Sequence, residues 1–154
     1  MRTGIRIGVD VGQARIGVAR SDPAGILATP VATLRAGRGD LDTVAKLARR
    51  TDALEVVVGL PLNMDGTRGT AAKSALKWAR RLQRKIAPVP VRMLDERLSS
   101  VQAHRQLHDS GRKEIDHRAV VDQVAAVIIL ETALEHERTN GQAPGIAVNT
   151  GPEG

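Results

Sequence analysis

The chain has 154 residues, 42% of them hydrophobic and 26% charged, which suits one domain with a real core and excludes a disordered protein. It has no cysteine, which excludes disulfides, thiol nucleophiles and Cys-ligated zinc and fits a cytoplasmic setting. Lys and Arg total 23 against 17 Asp and Glu, while Phe and Tyr are absent, so any nucleic-acid surface must rely on phosphate contacts rather than stacked aromatic rings.

In chain order, residues 5–10 and 15–20 read as two strands joined by the turn VGQA, a hairpin. Residues 27–34 form a third strand, with Pro30 marking an edge or an irregularity. Residues 40–51 place Leu41, Val44, Ala45, Leu47 and Ala48 at helical spacing, with Asp40 as the expected N-cap. Residues 54–58 are a short apolar run of the kind found in buried parallel strands, followed by a loop over 59–69. Thr70–Ile86 is the clearest helix: Lys73, Lys77, Arg80, Arg81 and Arg84 share one face, opposite Ala72, Ala75, Leu76, Ala79, Leu82 and Ile86. Residues 89–94 follow as a strand. A helix over about 99–109 opens with Ser99 and Gln102 in capping-box spacing and stops at Gly111. A long apolar helix spans 116–138, and its longest unbroken apolar run, 124–130, is too short to cross a membrane. The N-terminal residues lack the pattern of a secretory signal. Residues 139–154, rich in Gly and Pro, are expected to be a disordered tail outside the domain at 1–138. The order implies an α/β fold. Its mixed five-stranded sheet joins an antiparallel three-stranded meander to two parallel strands, flanked by helices.

Three segments carry acids where local rules disfavour them. Asp10 ends an apolar strand beside Gly12 and could face a cleft or simply cap the turn. Asp95 and Glu96 end the fifth strand; neighbours on a strand point to opposite faces, so one of them can face the same cleft as Asp10. Asp122 sits in VVDQVAAVIIL on a stripe with Ala125, Ala126 and Ile129, where a lone buried carboxylate is costly unless paired or bound to metal. Hard oxygen donors of this kind suit Mg²⁺ or Mn²⁺. The four histidines do not converge in the pattern. From residue 66 to residue 94 there are eight basic residues, including Arg68, and no acidic one, an imbalance that points to a polyanion surface. Arg112 and Lys113 suggest a second basic patch. Carboxylates beside a basic face match metal-assisted phosphodiester hydrolysis. The loop VVVGLPLNMDGTRG could cradle a phosphate with its amides, although it is not a P-loop.

Four ordered segments, GVDVGQARIGVARSD, VVVGLPLNMDGT, DERLSS and VDQVAAVIIL, resemble the YqgF/RuvX family over roughly residues 4–138. The resemblance implies a ribonuclease H-like fold, metal-dependent nuclease activity, and a cytoplasmic role in maturing the 5′ end of 16S ribosomal RNA, with junction-resolving activity on branched DNA as the other reading. It implies that Asp10, Asp95, Glu96 and Asp122 are the catalytic acids, with Asp10, Glu96 and Asp122 holding metal and Glu96 favoured over Asp95. It also implies that Arg97 contacts the backbone and that Gly12, Gly59, Leu60 and Pro61 form phosphate loops. Ala14 departs from the basic residue that relatives often carry, leaving Arg15 as that loop's contact. Two other readings stand beside this one: a nucleic-acid-binding protein without catalysis, and an actin-like or sugar-kinase-like ATPase. The latter is disfavoured because the chain has room for one lobe. A monomer suffices for cutting pre-rRNA, whereas symmetric cutting of a junction calls for a homodimer.

Overall fold

A computed structural model describes residues 1–111 and 115–149, with side chains described outside 108–119. The strands are β1 (Arg6–Val11), β2 (Arg15–Ser21), β3 (Ala28–Arg35), β4 (Glu55–Leu60), β5 (Val91–Asp95) and β6 (Ile146–Ala147). The helices are α1 (Asp40–Arg50), α2 (Thr70–Ile86), α3 (Val101–Gly111) and α4 (Ile115–Asn140), and a single 3-10 turn, Glu96–Leu98, follows β5. The sheet order is β3-β2-β1-β4-β5-β6. β1, β2 and β3 form an antiparallel meander, β4 and β5 run parallel to β1, and β6 is antiparallel to β5.

The sheet therefore has six strands where the sequence predicts five. The sixth lies inside the stretch expected to be a disordered tail, of which residues 150–154 lie outside the described residues. Two residues are too few to show an alternating pattern, so nothing in the sequence announces β6. Its effect is to cover β5, which would otherwise end the sheet with an open row of backbone donors and acceptors. The Arg92 guanidinium fastens the same segment by donating to the carbonyls of Pro144 and Gly145.

Strand parity divides the interior. Ile7, Val9, Ile16, Val18, Val56, Val58, Val91 and Met93 point to one face and pack with the apolar sides of α1 and α2. Val57 and Leu94 point to the other, where α4 lies along the sheet with Ala125, Ile129 and Ala133. α4 also covers Ala19 with Ala126 and Leu130. The close approach depends on a missing side chain. A Cβ at Gly17 would run into the backbone carbonyl of Asp122, so only glycine lets α4 lie this near β2.

Asp40 is not the N-cap predicted for α1. That position is Gly39, in the left-handed region at φ 73°, and Asp40 is the first helical residue. Its buried carboxylate instead accepts a 2.9 Å hydrogen bond from the Trp78 indole Nε1. Both polar groups are thereby satisfied in the core between α1 and α2.

Candidate active site

The carboxyl ends of β1 and β5 flank that of β4 on the sheet face covered by α4. On β1, Ile7 and Val9 face α1 and α2, so Asp10 faces α4; it is 4% exposed. Its antiparallel partner is Gly17, the residue directly under Asp122. On β5, Leu94 faces α4, so parity turns Asp95 away and returns Glu96 to the α4 side. Glu96 is 1% exposed and lies over Gly59, where a Cβ would stand 2.5 Å from its Oε2. Asp10, Glu96 and Asp122 thus share one end of one sheet face. Burial pushes the Asp10 carboxyl up to about 6. The positive charge of Arg105 opposes this, and the negative charges of Glu96 and Asp122 add to it.

Two arginines face these acids. Arg105, on α3, donates from Nη1 to Glu96 Oε1 at 2.5 Å and from Nη2 to Asp10 Oδ1. Arg15 donates from Nε to Asp122 Oδ2 at 2.7 Å. Among the described residues no group of three acidic or imidazole side chains is arranged to hold a metal ion in this conformation.

Asp95 has a different set of contacts. It accepts from the Arg97 backbone N at 2.9 Å and from Arg97 Nη2 at 2.7 Å, and these bonds hold its carboxyl below the usual range. Arg97 also reaches the carbonyl of Met64 at 3.4 Å, tying the 3-10 turn to the loop after β4. That loop folds on itself. The amides of Leu62, Asn63, Gly66 and Thr67 donate to Leu60, Thr67, Asn63 and the Asp65 side chain, so they are already engaged. Pro61 has no amide to give, Leu60 packs on the core, and Gly59 serves as the floor under Glu96. Gly12 closes the β1–β2 turn by donating to the Arg15 carbonyl.

The basic face of α2 lies across the sheet from the carboxylates. Lys73, Lys77, Arg81 and Arg84 are exposed there, and Arg80 is half-buried. Lys77 and Arg81 line an open cavity of about 570 Å³ with Gly12, Asp42 and Trp78. Because α2 leaves the carboxyl end of β4, Arg68 and Lys73 sit at the acid end and Arg84 at the far end. Arg112 and Lys113 lie outside the described residues.

Arg105 is the site residue that sequence reasoning missed. A signal was available: it lies one helical turn beyond the apolar, buried Val101, on the same side of α3.

The family model described as RuvX, Holliday junction resolvase, matches residues 4–136. This chain belongs to the RuvX family. A relative from Nocardioides sp., named "Putative pre-16S rRNA nuclease", is 55% identical over 150 residues, covering 94% of this chain and 96% of that one. A relative of the same name from Kineococcus radiotolerans is 52% identical, covering all of this chain and 82% of its own. Among solved structures, Thermus thermophilus RuvC aligns with a TM-score of 0.58 at 14% identity, over 91% of this chain and 98% of that one. The same enzyme in complex with a Holliday junction aligns at 0.57 and 15%, over 92% and 99%. That likeness gives this RuvX chain the ribonuclease H-like fold expected from its motifs. Among the described residues no helix is long and apolar enough to cross a membrane.

Proposed function

We propose that this RuvX chain is a divalent-metal-dependent endonuclease of structured RNA, acting in the cytoplasm on the 5′ end of pre-16S rRNA. The observation that carries the reading is that Asp10, Glu96 and Asp122 share one end of one sheet face, where burial, with the negative charges of Glu96 and Asp122 adding to it, raises the Asp10 carboxyl to about 6. The names of the relatives supply the substrate.

The donor set fits Mg²⁺ or Mn²⁺: three carboxylates, no soft ligand, and excess charge that the chain itself meets with cations. Asp10, Glu96 and Asp122 would hold the ion. When bound, such an ion supplies Lewis acidity at the phosphate and lowers the pKa of water. The chain's own residues do the rest. Gly59 sets the height of Glu96, Gly17 sets the height of Asp122, and the Asp95–Arg97 pair fixes the turn that carries Glu96. Arg15 flanks Asp122 at the rim, where a substrate phosphate can take over its guanidinium. Arg68 and Lys73, at the acid end, are placed to follow the RNA backbone. Hydrolysis adds water across one P–O bond, with the proton delivered to the leaving oxygen.

The test offers pre-16S RNA and a four-way DNA junction side by side in Mg²⁺ and Mn²⁺, with Asp10→Asn as control and solution mass measured in parallel. RNA cleavage by a monomer, lost in Asp10→Asn by more than the roughly 10–100-fold typical of outer-shell changes, is the expected result. Symmetric junction cutting by a homodimer would move the substrate to branched DNA, which the family's description favours. Salt-sensitive binding without any cutting would leave a nucleic-acid-binding protein.

A further inference from the structure

We propose that Arg105 is the resident cation of this site: it holds Asp10 and Glu96 until a divalent ion takes its place, and then turns to the substrate phosphodiester. The inference rests on the nuclease reading of the same carboxylates and adds a residue and a competition to it.

The geometry supports exclusive occupancy. One guanidinium grips two nearly inaccessible carboxylates from different segments, Asp10 at the end of β1 and Glu96 after β5. Such acids are strongly disfavoured when left charged and unpaired, so once Arg105 leaves them another cation is favoured in its place. An ion bound through the same oxygens and the Arg105 fork cannot be there together. Arg105 is also able to leave. It comes from α3 rather than from the strands, its side chain is 30% exposed, and it lines an open cavity of about 360 Å³. Leu62, Asn63, Met64, Gln102 and Gln106 form the remaining walls. Gln102, Arg105 and Gln106 share one face of α3, so the cavity begins where the carboxylates end. A guanidinium swung into it stays beside the acidic centre, with its planar donors matched to a phosphodiester. Arg15 does not compete in this way, because it touches Asp122 from the rim.

The experiment compares the full chain with Arg105→Gln, Arg105→Lys and Asp10→Asn. Mn²⁺ binding is followed by calorimetry and by electron paramagnetic resonance, and melting is followed with and without Mn²⁺. Removing the competitor should tighten Mn²⁺ binding by roughly tenfold or more in Arg105→Gln, the scale on which residues near metal ligands act. Arg105→Lys should fall between, since an ammonium cannot fork across two carboxylates. Arg105→Gln should melt lower without metal and gain more from Mn²⁺ than the native chain. If it does not fold in chelator, its recovery along a Mn²⁺ titration reports the same affinity. With Mn²⁺ saturating, Arg105→Gln should raise KM for the RNA substrate more than it lowers kcat. Equal or weaker Mn²⁺ binding in Arg105→Gln, with Asp10→Asn still abolishing the binding seen in the native chain, would overturn the competition and leave the nuclease reading intact. An unchanged KM would remove the phosphate contact. If the native chain takes up no Mn²⁺ and Asp10→Asn changes nothing, the metal reading falls and this inference falls with it.

Discussion

At the end of β5, one position along the chain separates two neighbouring acids. Asp95 is pinned by Arg97 at the surface, and Glu96 is buried against Gly59 and held by Arg105. The two glycines beside the acids respond differently to a methyl group, because different atoms must yield. At Gly59, an added Cβ would meet Glu96 Oε2 at 2.5 Å and Ile129 Cδ1 at 2.6 Å, both movable ends of side chains. Gly59→Ala should therefore fold, with melting close to native, while displacement of Glu96 cuts nuclease turnover. At Gly17 the obstacle is the backbone of α4, which cannot yield alone. Gly17→Ala should cost about 1–3 kcal/mol or more, the range for forced overpacking, read as a lower denaturation midpoint. Glu137, at the opposite end of the sheet, offers a pH test. It accepts from Arg2 Nη2 at 2.6 Å and Arg6 Nη2 at 3.1 Å, and the Arg2 hydrogen bonds, working against burial, pull its carboxyl down from 4.5 to about 2. A carboxyl lowered on folding stabilises fully above its unfolded pKa, and that stability is lost as pH falls through the folded value. Melting temperatures taken from pH 5 down to pH 2 should drop more steeply in the native chain than in Glu137→Gln.

At the scale of elements, α4 and α2 divide the labour. α4 is the platform of the site: its small residues settle on the sheet and carry Asp122 over β2. α2 is amphipathic in the ordinary sense, with Ala72, Ala75, Ala79, Leu82 and Ile86 in the core and cations outside. Its position behind the sheet limits what its charges can do. An RNA whose scissile bond lies at Asp10 passes the start of α2 before its end. Lys73→Ala should weaken RNA binding and reduce the slope of log affinity against log salt by about one, as loss of a phosphate contact does. Arg84→Ala, at the far end, should change both less. Filter binding over a salt series measures the difference, and a larger effect at Arg84 would put the RNA track across the back of the sheet.

At the scale of the whole molecule, the chain ends brace the fold. The N-terminal arm is locked through Arg2 and Arg6 to Glu55 and Glu137, joining the amino ends of β1 and β4 to the last turns of α4. The C-terminal segment returns to lie as β6 along β5. Removing residues 141–154 should uncover the β5 edge, and the expected outcome is increased self-association at a given concentration, measured by light scattering. It should leave the acid cluster assembled, since β6 pairs with β5 at Arg92 and Met93, short of the carboxyl end that carries Asp95 and Glu96.

The sequence by itself determined the elements. Short apolar runs bounded by turns marked β1, β2, β4 and β5, helical spacing of apolar residues marked α1 and α2, a long, almost wholly apolar stretch marked α4, and the four motifs pointed to the family. It also nominated Asp10, the Asp95–Glu96 pair and Asp122, because acids at the ends of apolar strands or on an apolar helix stripe are conspicuous in one dimension; the resemblance, not the spacing, favoured Glu96 over Asp95. What it left to the tertiary structure were relations between segments. Arg105 looks like one more surface cation until α3 folds back over the ends of β1 and β5. The cations of α2 look adjacent to the acids until the sheet is found to stand between them. β6 is invisible until β5 needs a neighbour. The physical reason is the same in each case: hydrophobic periodicity reports which side of an element is buried, and only packing decides which charges that burial brings together.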